Sequence, residues 1–164
     1  MPEHDTIERA HEDAREGKSP STQAGEFVRE EMEHVREGKH GARSTKQAIA
    51  IGLSKARRAG VKLAPGKRTS KRTRRKAKQD LAKGRKRGRK TSRKRSRAVT
   101  GALRREEHKA ASRRSLSKQG RSSARRRSSS ERSASARQAA STKGAAGRSA
   151  AARKAARTRA RHRR

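Results

Sequence analysis

Large apolar side chains are the scarce material in this chain. Val, Ile, Leu, Met and Phe number 15 in 164 residues, Phe27 is the single aromatic, and no such residue lies beyond Leu116. Burial of apolar surface is the main term that offsets the conformational entropy lost when a chain is ordered. A sequence this poor in it can build only a small core. That core must come from the places where apolar residues recur at a helical period.

A repeated tetrapeptide marks out those places. Arg-Glu-Gly-Lys occurs at residues 15–18 and again at 36–39, and each copy is followed by Ser-Thr and then Gln-Ala. Glycine suits the left-handed position just after a last helical turn, and Ser or Thr caps the start of the next helix. The pattern predicts helices at about 5–16, 22–37 and 45–59. Asp5 is the expected cap of the first, with Glu8 three residues on, and Ile7, Ala10 and Ala14 share one face. In the second, capped by Ser19, Ser21 or Thr22, the residues Ala24, Phe27, Val28, Met32 and Val35 fall within one arc at about 100° per residue. Ser44 and Gln47 form an S-x-x-Q capping box for the third, which Gly60 closes. Its Gly52 and Ala56 allow the second helix to approach closely in an antiparallel hairpin, with Val61 and Leu63 over one end. Glu31 sits inside the apolar arc, so it is expected to pair with a base such as Lys55 or to mark a partner surface.

Charge divides the chain more sharply than hydropathy does. Residues 1–40 hold 11 Asp and Glu against 6 Lys and Arg, a net of −5, whereas residues 41–164 hold 4 against 45, a net of +41. From residue 65 onward there are 39 Lys and Arg, 27 of them Arg, and the only acids are Asp80, Glu106, Glu107 and Glu131. Such composition predicts a disordered cationic tail over 65–164, with helices at 72–83 and 95–112 forming only on binding. The expected fold class is therefore all-α: a three-helix module over 1–64 followed by a long, mostly disordered tail.

Several classes of function are excluded. The chain has no cysteine, hence no disulfide framework and no thiolate zinc site. The opening MPEHDTIE is acidic where a secretory signal is basic and then apolar. The longest uncharged run, Gln47–Ser54, is eight residues, against about 20 needed to span a bilayer. A soluble cytoplasmic protein with no membrane partner is expected. No acid–base pair or nucleophile stands at a usable spacing, so neither enzymatic activity nor a cofactor is expected. Glu8-x-x-His11 and Glu31-x-x-His34 have the i, i+3 spacing of carboxylate-bridged di-metal bundles. Those bundles need carboxylates from two further helices, and the third helix has none, so no metal is expected.

The run GKHGARSTKQAIAIGLSKARRAG resembles the signature of a bacterial family of short basic proteins classed as a domain of unknown function. That family shows a Lys-His-Gly turn, here Lys39–His40–Gly41, followed by a Gln-Ala-Ile-Ala helix ending in Ala-Arg. The resemblance covers about residues 17–64. It implies a small helical module and a bacterial source, and it brings no established activity. Beyond it, the tail is similar in composition to histone H1-like and protamine-like chains.

Polyanion binding is the function this charge distribution points to. A net of +35 over residues 65–164 matches the phosphates of about 17 base pairs of duplex. The expected contacts in this segment are Arg72, Arg74, Arg75, Arg85, Lys86, Arg87, Arg93, Arg95, Arg125, Arg126 and Arg127. At the turn before the third helix, Lys39, His40, Arg43, Ser44 and Lys46 crowd a helix N-terminus with no acid among them, which predicts a grip on one backbone phosphate. Arg57 and Arg58 on the outer face of that helix extend the surface. With no aromatics in the tail to stack on bases, duplex DNA is favoured over RNA, in the manner of a bacterial nucleoid or histone-like protein. An RNA- or ribosome-associated accessory role is the alternative. The acidic head is expected either to homodimerise through the N-terminal helices, bridging duplexes, or to fold back on the tail and weaken its binding.

Overall fold

The computed structural model describes residues 2–66, 69–85 and 92–162. Seven α-helices and one 3-10 helix account for most of these residues: α1 His4–Arg15, α2 Pro20–Arg36, α3 Thr45–Arg58, α4 Lys71–Arg85, α5 Arg93–Arg104, the 3-10 helix His108–Ala111, α6 Arg113–Arg125 and α7 Ser129–His162. Two compact units result, residues 1–119 and 120–164, with the division falling inside α6.

The glycines close the first three helices. Gly17, Gly38 and Gly60 each adopt a positive φ, of 71°, 76° and 102°. After each of them the next amide bonds back into the last turn: Lys18 to Asp13, Lys39 to His34 and Val61 to Ala56. This closure satisfies carbonyls that a helix end leaves open, and only glycine adopts the conformation without strain. Ser19 and Ser44 cap α2 and α3 by accepting the amides of Thr22 and Gln47. Pro20 stands at the first position of α2, where its missing N–H is no loss. Two starts differ from expectation. Glu3, not Asp5, precedes α1 and caps it with no side-chain bond, and Gln47 Oε1 accepts the amide of Arg43, one residue before the cap itself.

The hairpin of α2 and α3 is tight because Gly52 faces Val28. A Cβ at residue 52 would stand 2.7 Å from Val28 Cα, so only a residue without a side chain allows this separation. Two apolar clusters occupy the ends of the hairpin. Phe27 lies in one with Ala10, Ala24, Ala56 and Val61, all buried. Met32 and Val35 lie in the other with Ala42, Ala48, Ala110 and Ala111.

The expected boundary at residue 64 is not where packing stops. The chain after α5 straps the turn between α2 and α3: Gly41 N–H donates to the carbonyl of Leu103 and Ala42 N–H to that of Glu107. Thr45 Oγ1 donates to Ala110 O (2.6 Å), Arg36 Nε to Ala111 O (3.1 Å) and His108 Nδ1 to Val35 O (2.9 Å). A Cβ at Gly41 would overlap the carbonyl of Glu106. The strap uses alanines, backbone carbonyls and the His108 ring, which carry no apolar periodicity along the chain.

The expectation of a long disordered tail is corrected. Helices α4 to α7 are formed: 72–83 lies within α4, whereas 95–112 divides into most of α5 and the 3-10 helix, with residues 105–107 in neither. The last helix, α7, runs from Ser129 to His162 with one non-helical residue, Gly144 (φ 64°, ψ 177°). Its start is a reciprocal capping box. Ser128 Oγ accepts the amide of Glu131, whose carboxylate accepts the amide of Ser128. Twelve of its 34 residues are Ala, the best helix former, and Arg ranks close behind it. Ser135, Thr142 and Thr158 bond back one turn, to the carbonyls of Glu131, Gln138 and Lys154, which satisfies their hydroxyls within the helix. Lack of large apolar residues excludes a core here, but it does not exclude a helix.

Candidate nucleic-acid interface

The turn before α3 divides the cations expected there into two groups. Lys39 lies 3.0 Å from Glu3 and 3.1 Å from Glu37, and hydrogen bonds to these two carboxylates raise its pKa. Glu3 is in turn held down to about 2, first by its hydrogen bond with His34 and then by that with Lys39. His40 turns inward: Nδ1 donates to Gly41 O (3.1 Å) and Nε2 lies 3.4 Å from the buried Glu31. Arg43, Ser44 and Lys46 remain exposed at the helix start. The outward cations of this junction are thus Arg43 and Lys46, and Lys39 and His40 are drawn to acids.

On α3, Arg57 and Arg58 are both engaged. Arg57 Nε donates to Leu63 O (3.0 Å), and partial burial lowers its pKa. Arg58 places Nε and Nη2 each 3.0 Å from Asp80 Oδ1. Asp80 also accepts from Ser54 Oγ (2.7 Å) and has Lys76 3.7 Å away. It is the anchor that docks α4 on α3, with Gly84 brought close against the carbonyl of Arg57. Burial by itself pushes the Asp80 carboxyl up, but Ser54, Arg58 and Lys76 together outweigh it and hold the pKa below the ordinary value. A carboxyl whose pKa is lower folded than unfolded adds stability above the unfolded pKa and loses it as pH falls through the carboxylate range. Asp80→Asn is therefore expected to cost about 1–3 kcal/mol at neutral pH. It should also flatten the fall in unfolding midpoint between about pH 5 and pH 2. Urea denaturation of both proteins across that range checks it.

Beyond α3 the charge is presented outward. Every described Lys and Arg from Lys71 to Arg161 is exposed, whereas Asp80 is buried. Within residues 1–119 this places Arg72, Arg74, Arg75 and Arg85 on α4 and Arg93 and Arg95 on α5 at the surface. Within 120–164, Arg125, Arg126 and Arg127 are exposed, and Arg127 Nη1 donates to Ser135 Oγ (3.3 Å). Lys86 and Arg87 lie outside the described residues. The same exposure extends to cations the sequence reading did not single out, Arg97, Arg104, Arg113 and Arg153 among them. Their signal was the charge run itself. No helix among the described residues is long and apolar enough to cross a membrane.

One cluster of a different kind lies under the turn. Glu31, His34 and His40 bring a carboxylate oxygen and two ring nitrogens within 4.8 Å of one another. The i, i+3 spacing of Glu31 and His34 was legible in the sequence. The third member was not, because His40 is placed by the Gly38 turn.

Residues 17–68 match the profile of a family of unknown function, DUF6496. That segment takes in α2, the turn, α3 and the start of the following loop, and it agrees with the domain-of-unknown-function resemblance noted in the sequence. No curated protein and no solved structure matches the chain.

Proposed function

We propose that this chain is a non-catalytic nucleic-acid-binding protein that engages duplex DNA without regard to sequence and compacts it, as a nucleoid or histone-like protein does. The observation that carries this reading is the uniform outward exposure of Lys and Arg from Lys71 to Arg161 among the described residues. Helices hold such side chains at fixed spacing, with neighbours three and four apart about 5–6 Å from each other. Arginine forks pair with phosphate oxygens bidentately. Charge displayed this way, with four carboxylates in the last 100 residues, supports binding driven by release of counterions from the duplex. Arg43 and Lys46 at the start of α3 add a second, smaller point of contact. The absence of Trp and Tyr, with the single Phe27 buried, favours backbone contact over base stacking.

The test is a titration of the full chain against a labelled 30-base-pair duplex over a salt series, with unlabelled structured RNA as competitor. A log–log slope of about −0.9 for each phosphate contacted is expected, with scrambled duplexes bound equally and RNA competing no better than DNA. Affinity that does not respond to salt would overturn the proposal. RNA displacing the duplex at much lower concentration would move the assignment to an RNA-associated accessory role.

A further inference from the structure

Between the two apolar clusters, α2 turns two adjacent carboxylates inward: Glu30 is 2% exposed and Glu31 fully buried. Lys55 is the cation that reaches them from α3. Its Nζ hydrogen-bonds Glu30 Oε1 at 3.3 Å and lies 2.8 Å from Glu31 Oε2. The second approach is close enough for an ion pair but lies outside hydrogen-bond geometry, so Glu30 Oε2 and both oxygens of Glu31 have no hydrogen-bond partner. A buried carboxylate in that condition is costly. Its environment needs another positive group.

The nearest candidates are the two imidazoles. A carbonyl can only accept, so the contact of His40 Nδ1 with Gly41 O (3.1 Å) puts the proton on Nδ1. In the neutral ring the lone pair on Nε2 then faces Glu31 Oε1 at 3.4 Å, two acceptors turned toward each other. Ligand atoms about 2.0–2.2 Å from a tetrahedral zinc ion lie about 3.3–3.6 Å apart; the His40–Glu31 pair has that separation, and His34 brings its nitrogen within 4.8 Å of both. A ring N–H given to a backbone carbonyl is also the usual way in which a metal-binding histidine is oriented. His34 is held from outside by Glu3, 2.9 Å from its Nε2, and Glu3 is held by Lys39. The His34 and His40 rings meet edge to face, with centroids 5.9 Å apart.

We propose that Glu31, His34 and His40 bind one transition-metal dication of the zinc class, whose preference for imidazole nitrogen and carboxylate oxygen they match. The ion supplies the positive charge that the Glu30–Glu31 pair lacks, and it ties the Gly38–Arg43 turn to α2. The site is independent of the nucleic-acid reading. It holds or fails whatever the chain binds.

The test uses the full chain freed of metal by chelation, then titrated with zinc chloride by calorimetry and with cobalt(II) by visible absorbance and proton NMR. One zinc per chain is expected, with a tetrahedral cobalt spectrum and two imidazole rings shifted by the cobalt, assigned to His34 and His40. The His34→Ala/His40→Ala pair should weaken zinc binding by about a hundredfold or more. Glu31→Gln, which keeps the side-chain shape, should weaken it without losing the helical circular dichroism. His4→Ala controls for the exposed group of His4, Asp5 and Glu8 and should bind zinc as the parent does. The proposal is overturned by no saturable zinc uptake, by cobalt shifts on other histidines, or by uptake that survives in both Glu31→Gln and the double variant.

Discussion

Lys55→Met, measured in the presence of a chelator, is expected to destabilise the first compact unit by about 3–5 kcal/mol. The lysine side chain is 19% exposed, while the two carboxylates it faces are 2% and 0% exposed. Methionine conserves most of the length and apolar stem, so the lost group is the ammonium. Without it Glu30 and Glu31 are left side by side in a buried site, and removing one partner of a buried charge network costs far more than replacing the whole network. Adding Glu30→Gln and Glu31→Gln to Lys55→Met should therefore restore most of the loss. Urea denaturation followed by circular dichroism gives both numbers. A loss below about 1 kcal/mol, the range of an exposed ion pair, would mean that the ammonium is not what makes the two carboxylates tolerable.

Phe27→Ala is expected to cost a similar amount, about 3–5 kcal/mol. Phe27 is fully buried and stands where α1, α2, α3 and the segment after α3 meet, against Ala10, Ala24, Ala56 and Val61. Three of those four buried residues are alanines, so only Val61 and the partly buried Ile7, Leu53 and Leu63 at the margin of the cluster are able to shift into the space, and they fill it in part. The cavity term therefore adds to the lost transfer energy, and the cluster that Ala10 of α1 shares loses its largest side chain. Thermal unfolding should show the midpoint fall sharply, with α7 absorbing none of the loss, because α7 contributes no large apolar residue to any core. Phe27→Leu should recover much of the stability, since it returns most of the volume.

What could be read directly from residues was whatever depends on neighbours along the chain. The Arg-Glu-Gly-Lys repeats end α1 and α2 because a positive φ is a local demand that glycine alone meets freely. Ser19 and Ser44 cap for equally local reasons. The inward pairing of Glu31 with Lys55 was also legible, since a carboxylate at a core-facing helical position requires a cation. The expectation of a disordered tail fails because poverty in Val, Ile, Leu and Phe is not poverty in structure. Core formation needs large apolar surface. Helix formation in an Ala- and Arg-rich segment with an S-x-x-E start needs only propensity and a cap.

The candidate surfaces divide in the same way. Exposure of the cations in α4 to α7 follows from charge density, because so many solvated ions cannot be buried under four carboxylates. Nothing in the order of residues said that Arg58 would be taken up by Asp80, 22 positions away, or that His40 would turn from a phosphate toward Glu31. Nor did it show that Ala110 and Ala111 would return to close the turn. The sequence by itself determined the first three helices, the glycines that close them and the sign of the outer surface, all of which rest on local backbone preference and composition. The tertiary structure alone decided which charges remain outside and which meet under the turn, because those pairings depend on how helices distant in sequence come together.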